Sequence, residues 1–381
     1  MIAIQTKLPR VDTTIFTVMS KLAAEHGAIN LSQGFPDFSC DPELIAYVTE
    51  AMKNGHNQYA PMAGTEELRS MIASKNETLY GVNYDPESEI TVTAGGTQAI
   101  FTAIAATISV GDEVIIFEPA YDCYSPAIKL LGGLVKPFGL SPPDYEIDWN
   151  MVKKLFSANT KMIILNSPQN PTGRIMKEND IQELIKLTKD TDILILSDEV
   201  YEHIIYDGEK HLSVSKYAEL RERSFVVASF GKMLHATGWK LGYCLAPAYL
   251  MKEFRKVHQF NVFSVNTPMQ IGIAKYLSVP ARYTELGAFF QQKRDLFRAL
   301  LSETKFKLLP CNGSYFQCVT YEEVADLSDN DMALRLVEDY GVASIPVSAF
   351  YNRNTDHHVL RFCFAKKQET LEKAVERLTK L

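Results

Sequence analysis

The sequence predicts an α/β fold: a mostly parallel central sheet with helices on both faces, plus a smaller α+β part. Three observations predict it. From about residue 89, short apolar runs alternate with helical patterns, as they do when strands and covering helices take turns. The runs are too uniformly apolar to have one solvated face, so both faces are covered. After residue 246 the pattern changes to long helices and then isolated strands, which ends the repeating strand–helix unit.

Strands are expected at 89–94, 113–117, 161–166, 192–197, 224–229 and 241–246, with helices at 97–109, 121–132 and 177–190. Two helices precede them. The first opens at Asp41-Pro42, an N-cap residue followed by proline at the first helical position; the second runs from about Thr65 to Tyr80. Later come helices at 264–278 and 281–303, strands near 313–319 and 358–364 around a helix at 331–340, and a last helix at 368–380. A length of 381 residues suits two domains. The pattern divides them into 46–275, the large one, and 1–45 with 276–381, the small one.

Apolar residues at 46% and charged residues at 22% are ordinary for a globular chain. A net charge of −7 without a basic stripe argues against nucleic acid as a partner. The six cysteines, at 40, 123, 244, 311, 318 and 363, show no CxxC spacing. With no His cluster beside them, they read as buried free thiols rather than a metal site. The opening MIAIQTKLPR does not read as a secretory signal. No apolar run approaches the roughly 20 residues of a membrane span. A cytoplasmic protein is expected, with no membrane partner.

In an open parallel sheet, ligands bind beyond the carboxyl ends of the strands. After the first strand, Gly95-Gly96-Thr97 opens a helix whose free N–H groups would attract a phosphate; a plain turn reads the same way. Tyr121 follows the second strand and Pro119, where it would stack on a flat ring or simply pack in the core. In LNSPQNPTGR (165–174), Asn166 and Asn170 sit among three prolines that stiffen the loop. Asp198 ends an apolar strand and Tyr201 lies just beyond. A buried carboxylate there needs a cationic partner, unless Asp198 is only a helix cap. In SFGKMLHATGWKLGY (229–243), Ser229, Lys232 and Lys240 surround Thr237-Gly238-Trp239. A desolvated lysine in such a loop becomes a nucleophile for a carbonyl. Arg361 lies inside the apolar strand HVLRFCFA, where its planar fork suits a carboxylate, either a ligand's or a structural partner's.

The order NPTG, SDEVY, SFGK and TGWKLGY resembles the class I/II aminotransferases of pyridoxal-phosphate fold type I, over nearly the whole chain. NLSQGFPDF (30–38), NQYAP (57–61), EPAYDCY (118–124), FSVNTP (263–268) and LRFCFAKK (360–367) are most similar to methionine or aromatic aminotransferases and kynurenine/glutamine transaminases. The resemblance implies a cofactor, pyridoxal 5′-phosphate, joined to Lys232 as a Schiff base. Lys232 would then move the proton between Cα and cofactor C4′. Asp198 is implied to pair with the ring nitrogen, Asn170 and Tyr201 with the phenolic oxygen, and Tyr121 to stack on the ring. Gly96, Thr97, Ser229 and Lys240 would hold the phosphate. Arg361, assisted by Asn170, would bind the substrate carboxylate, with Gly34 beside the substrate backbone. Phe16 and Tyr59 match positions near the substrate. Tyr59 would also reach the phosphate of a neighbouring subunit, implying a homodimer with shared active sites.

Two positions depart from the pattern. Lys240 stands where arginine is frequent, and Gln169 where many relatives have His or Gly. Lysine still neutralises a phosphate as a point charge. An aromatic-lined pocket favours apolar, sulfur-containing or aromatic amino donors and 2-oxo acid acceptors. Methionine, phenylalanine, tyrosine, kynurenine and glutamine are therefore expected over aspartate. A C–S β-lyase on the same scaffold is the alternative. A non-catalytic regulator is disfavoured, because no basic helix-turn-helix precedes the N-terminal arm.

Overall fold

The computed structural model describes residues 5–9 and 11–381. Seven strands form the central sheet: β1 (Ile90–Thr93), β2 (Glu113–Glu118), β3 (Leu134–Gly139), β4 (Thr160–Asn166), β5 (Leu194–Asp198), β6 (Ser224–Ser229) and β7 (Gly242–Leu245). Their order across the sheet is β1-β7-β6-β5-β4-β2-β3. Only β7 runs against the others, pairing antiparallel with both β1 and β6.

The inner strands are buried on both faces, which is why they read as continuous apolar runs. Alternate side chains serve different cores. Ile163, Leu165 and Ile195 join one cluster, while Met162, Ile164 and Leu196 join the other. The strand periodicity of two thus fills both faces from one short segment.

The six expected strands of this sheet are present. The seventh, β3, is one the sequence did not reveal. It is a half-exposed edge strand carrying Pro137, so it lacks both the apolar run and the full set of N–H donors that mark an inner strand. Two long helices carry no expectation from the sequence, Ile15–Glu25, capped by Thr14, and Ala248–Asn261; nor do the short helices Trp149–Lys153, Ala218–Arg221 and Phe230–Met233. The second long helix buries Leu250, Met251, Phe254 and His258 along one face, a readable helical stripe. The single helix expected at 281–303 is two, Ala281–Thr284 and Leu286–Leu301, with a break at Glu285. The helix expected from 121 starts at Tyr124, which leaves Tyr121 in the preceding loop. Asp41 caps Pro42–Lys53 as its sequence suggested, accepting from the Glu43 N–H at 2.8 Å.

Toward the C-terminus a second sheet contains β8 (Lys307–Leu308), β9 (Phe316–Thr320), β10 (Ile345–Pro346) and β11 (Val359–Cys363), in the order β10-β11-β9-β8 and antiparallel throughout. The N-terminal arm is tied to this region. Ile29–Asn30 pairs in parallel with Val342–Ala343, and the Leu31 carbonyl accepts from the Cys363 N–H at 2.8 Å. Those bonds bring Phe16 and Gly34 over the carboxyl ends of the central strands. All six cysteines are free thiols; four are buried, while Cys40 and Cys123 are partly exposed. Among the described residues no helix is long and apolar enough to cross a membrane.

Candidate active site

A cavity of ≈ 290 Å³ opens at the carboxyl edge of the central sheet, and every expected site residue except Tyr59 lines it. Its floor is made by residues at and just beyond the strand ends. Gly96 and Thr97 begin the helix after β1, Asn170 lies past β4, Asp198 ends β5, and Ser229 ends β6. Lys240 leads into the antiparallel β7. Gly242 makes that approach possible. A Cβ there would lie 2.6 Å from the Ala228 carbonyl oxygen and 3.0 Å from Gly96 N. The roof comes from Phe16 and Gly34 on the N-terminal arm, Phe316 on β9 and Arg361 on β11.

Lys232 lies in the short helix Phe230–Met233. Its Nζ donates to the Gly34 carbonyl at 3.1 Å, and the Tyr315 hydroxyl donates to the same oxygen at 2.6 Å. The rings of Tyr201 and Tyr315 flank the amine at 5.6 and 5.5 Å. Burial pulls the Lys232 amine down to about 8; Arg361 and Lys240 push the same way, while Cys363 and Asp198 oppose them. A neutral amine is therefore accessible near physiological pH, as a carbonyl nucleophile requires.

Asp198 is buried at the end of β5. Burial pushes its carboxyl up to about 6, against the Tyr124 hydroxyl and Val200 N–H that donate to it at 2.5 and 3.3 Å. Both donors are neutral. A carboxylate so placed favours a cationic ligand group.

Arg361 is fully buried with its guanidinium over the Phe316 ring at 4.0 Å, and Phe16 and Phe350 stand near it at 5.3 and 5.5 Å. Nη1 donates to Asn170 Oδ1 at 2.7 Å and Nη2 to the Ser32 carbonyl at 2.6 Å, while buried Nε has no partner among the described residues. The structural ion pair that the sequence left open is absent: among the described residues no carboxylate makes a salt bridge with Arg361. A buried fork held in place with unused donors suits an incoming carboxylate.

The remaining positions complete the cleft. Tyr121 OH and Thr97 Oγ1 share a hydrogen bond at 3.1 Å, which fixes the Tyr121 ring against the helix start. Gln169 turns away into the protein: its amide donates to the Pro119 carbonyl at 3.2 Å and its oxygen accepts from Thr172 at 2.5 Å. Tyr59 is 81% exposed and packs edge-on against Phe263 at 5.2 Å, outside this cavity.

Several contributors carry no assignment from sequence. Tyr124 and Tyr315 give no signal that separates them from core tyrosines. Asn166 stands out in its loop but without a role; it accepts from the Asn170 N–H at 2.8 Å and donates to the Asp198 carbonyl at 3.0 Å. Gln33 holds the N-terminal helix, donating to the Phe16 carbonyl at 2.9 Å.

These residues fit pyridoxal 5′-phosphate. First-turn N–H groups, Thr97, Ser229 and Lys240 suit its phosphate. Tyr121 suits its ring, and buried Asp198, whose hydrogen-bond donors are both neutral, suits a protonated ring nitrogen. Among the described residues no group of His, Cys, Asp or Glu could hold a metal ion.

Residues 26–378 match the family model for aminotransferase class I and II. The chain is 48% identical to methionine aminotransferase from Escherichia coli strain K12, over 99% of this chain and 98% of that protein. It is 32% identical to kynurenine–oxoglutarate transaminase 1 from Rattus norvegicus, over 98% and 97%. A solved Escherichia coli structure, described as having a methionine aminotransferase function, superposes with a TM-score of 0.98 at 47% identity and full coverage of both chains. Each of these relatives is named for amino transfer, which favours that activity over the β-lyase alternative.

Proposed function

This chain belongs to the aminotransferase class I and II family, whose members use pyridoxal 5′-phosphate, and we propose that its amino donor is an apolar, sulfur-containing or aromatic L-amino acid. The observation that carries the donor class is the lining of the cavity. Phe16, Ile100, Val200, Leu241 and Phe316 are among its apolar lining residues, and its lining cations are Lys232, Lys240 and Arg361. Each of these cations already has work, so among the described lining residues none remains for a second substrate carboxylate. Methionine, phenylalanine, tyrosine, kynurenine and glutamine fit; aspartate does not. The acceptor is a 2-oxo acid.

When bound, the cofactor supplies a carbonyl for amines and a ring that accepts the electron pair left at Cα. The chain's own residues do the rest. Gly96, Thr97, Ser229 and Lys240 hold the phosphate. Asp198 would keep the ring nitrogen protonated, Asn170 and Tyr201 would donate to the phenolic oxygen, and Tyr121 would pack on the ring. Lys232 would carry the cofactor and, as a free amine, would serve as the base that takes the Cα proton and returns it. Arg361, with Asn170, grips the α-carboxylate and thereby sets the direction of the Cα–H bond, while Gly34 and Phe16 bound the substrate. Burial keeps the Tyr201 and Tyr121 phenols neutral, so both remain donors.

On this proposal the protein is a homodimer in the cytoplasm, divided into a cofactor-binding part at 46–275 and a small part at 1–45 and 276–381. It assigns exposed Tyr59 to the site of a second copy. The test is a titration of the purified holoenzyme with single amino acids, followed by its ultraviolet–visible spectrum. Apolar and aromatic donors should bleach the visible band and a 2-oxo acid should restore it. Aspartate as the best donor by a wide margin would overturn the donor class.

A further inference from the structure

Asp198 and Tyr201 point into the cavity, whereas Glu199 and Glu202, on the same turn, point away from it into the protein. Both glutamates are buried, and both are saturated with donors. Glu202 Oε1 accepts from Lys75 Nζ at 2.7 Å and from the Tyr243 hydroxyl at 3.1 Å, and Oε2 accepts from the Tyr80 hydroxyl at 2.6 Å. Lys75 Nζ also donates to Tyr243 at 2.8 Å, and His203 Nε2 stands 3.4 Å from Glu202 Oε1. Lys75 is 1% exposed. Glu199 Oε1 accepts from the Ser197 hydroxyl at 2.8 Å and the Val214 N–H at 3.1 Å, while Oε2 pairs with His211 Nε2 at 2.7 Å.

None of these groups faces the cavity. As a source of stability the arrangement is poor, because apolar side chains of the same volume commonly replace a buried ion pair at no loss. Direction is what it adds. Lys75 and Tyr80 come from the helix Glu66–Tyr80 and Tyr243 from β7, so Glu202 is held from two elements next to Tyr201. Burial alone would raise the Glu202 carboxyl, yet Lys75 and His203 outweigh it and hold it well below the usual carboxylate range. The ionised form of Glu202 is thus the one its partners favour.

We propose that Lys75 and Glu202, with the Glu199–His211 pair, are positioning residues: they fix the 198–202 turn so that Asp198 and Tyr201 meet the cofactor ring in register. This inference rests on the assignment of Asp198 and Tyr201 to the cofactor, made above.

The test compares the parent, Tyr201→Phe, the double variant Lys75→Met/Glu202→Met, and Tyr80→Phe. Three quantities are measured: thermal unfolding of the cofactor-free protein, the Kd for pyridoxal 5′-phosphate, and the pH midpoint of the bound cofactor's visible absorbance. The double variant leaves the Tyr80 and Tyr243 hydroxyls without their Glu202 acceptor and should unfold somewhat earlier than the parent; the folded protein should bind cofactor about tenfold more weakly, with its absorbance midpoint shifted in the same direction as in Tyr201→Phe. Tyr80→Phe removes one hydroxyl and should give a smaller change of the same sign; it carries the test if the double variant does not fold. A folded variant with unchanged Kd and midpoint, while Tyr201→Phe shifts the midpoint, would overturn this inference alone. If Tyr201→Phe leaves the midpoint where it was, the cofactor assignment of Tyr201 fails and the inference falls with it.

Discussion

The Tyr124 hydroxyl donates to Asp198 Oδ2 at 2.5 Å, and it is the side-chain bond that opposes the rise of this buried carboxyl to about 6. Without a cationic ligand the charge on Asp198 is a cost to the fold. A carboxyl moved from 3.8 to about 6 costs about 3 kcal/mol when fully ionised. The folded value lies above the unfolded one, so stability is intact below 3.8 and is lost as pH rises through about 6. Asp198→Asn keeps an acceptor for Tyr124 and removes the charge. The cofactor-free variant should therefore melt above the parent at pH ~8, with the gap closing toward pH ~4. Its affinity for pyridoxal 5′-phosphate should fall by about 100-fold, the same order of energy. A melting difference that does not change with pH would show that burial of the charge is not the cost.

Lys232 sets a second pH dependence, with the opposite chemistry. Its amine is drawn down to about 8 by burial, with Arg361 and Lys240 adding to the effect. Below that value the ammonium dominates and cannot attack a carbonyl; above it the neutral amine does. The rate at which cofactor-free protein captures pyridoxal should rise about tenfold per pH unit below 8 and level off above it. Stopped-flow absorbance reads this directly, and pyridoxal without its phosphate removes the anion site from the measurement. Lys240→Gln should move the midpoint upward. A midpoint near the ordinary 10.5 would contradict the buried, cation-flanked setting of the lysine.

How legible each feature was depended on whether its signal is local. Lys232, Asp198 and Asn170 could be found because each sits at or just past the end of an apolar strand, and an open sheet gathers its ligand groups at that edge. Arg361 stood out because a charge inside an apolar strand must have a partner. Tyr124 and Tyr315 look like core tyrosines in any linear pattern; only their hydroxyl partners set them apart. The Lys75–Glu202 pair spans 127 positions, so no spacing rule reaches it. The edge strand β3 was hidden by Pro137, which an inner strand would not carry. By contrast the helix Ala248–Asn261 had its apolar stripe in plain view.

Gly34 joins the arm to both ends of the site, and its missing side chain has a consequence for substrate rather than cofactor. A Cβ at Gly34 would lie 2.8 Å from Phe316 Cζ and 3.2 Å from Cε1, so the ring would have to move. That ring has little room: Tyr315 stands edge-on to it at 5.0 Å, Tyr201 at 5.9 Å, and the Arg361 guanidinium covers it at 4.0 Å. The displacement therefore passes to Arg361. Gly34→Ala should raise KM for the amino donor by about tenfold while kcat falls less, because the carboxylate grip is lost more than the proton transfer. Overpacking should also cost about 1–3 kcal/mol of stability. The Kd for pyridoxal 5′-phosphate should stay within about twofold, since the phosphate is assigned to residues at the ends of β1 and β6 and before β7 rather than to the arm. Phe316→Leu in the Gly34→Ala background makes room for the methyl group and should recover part of the lost KM. If Gly34→Ala weakens the cofactor as much as the donor, the strain runs through Lys232 and its bond to the Gly34 carbonyl instead of through Phe316.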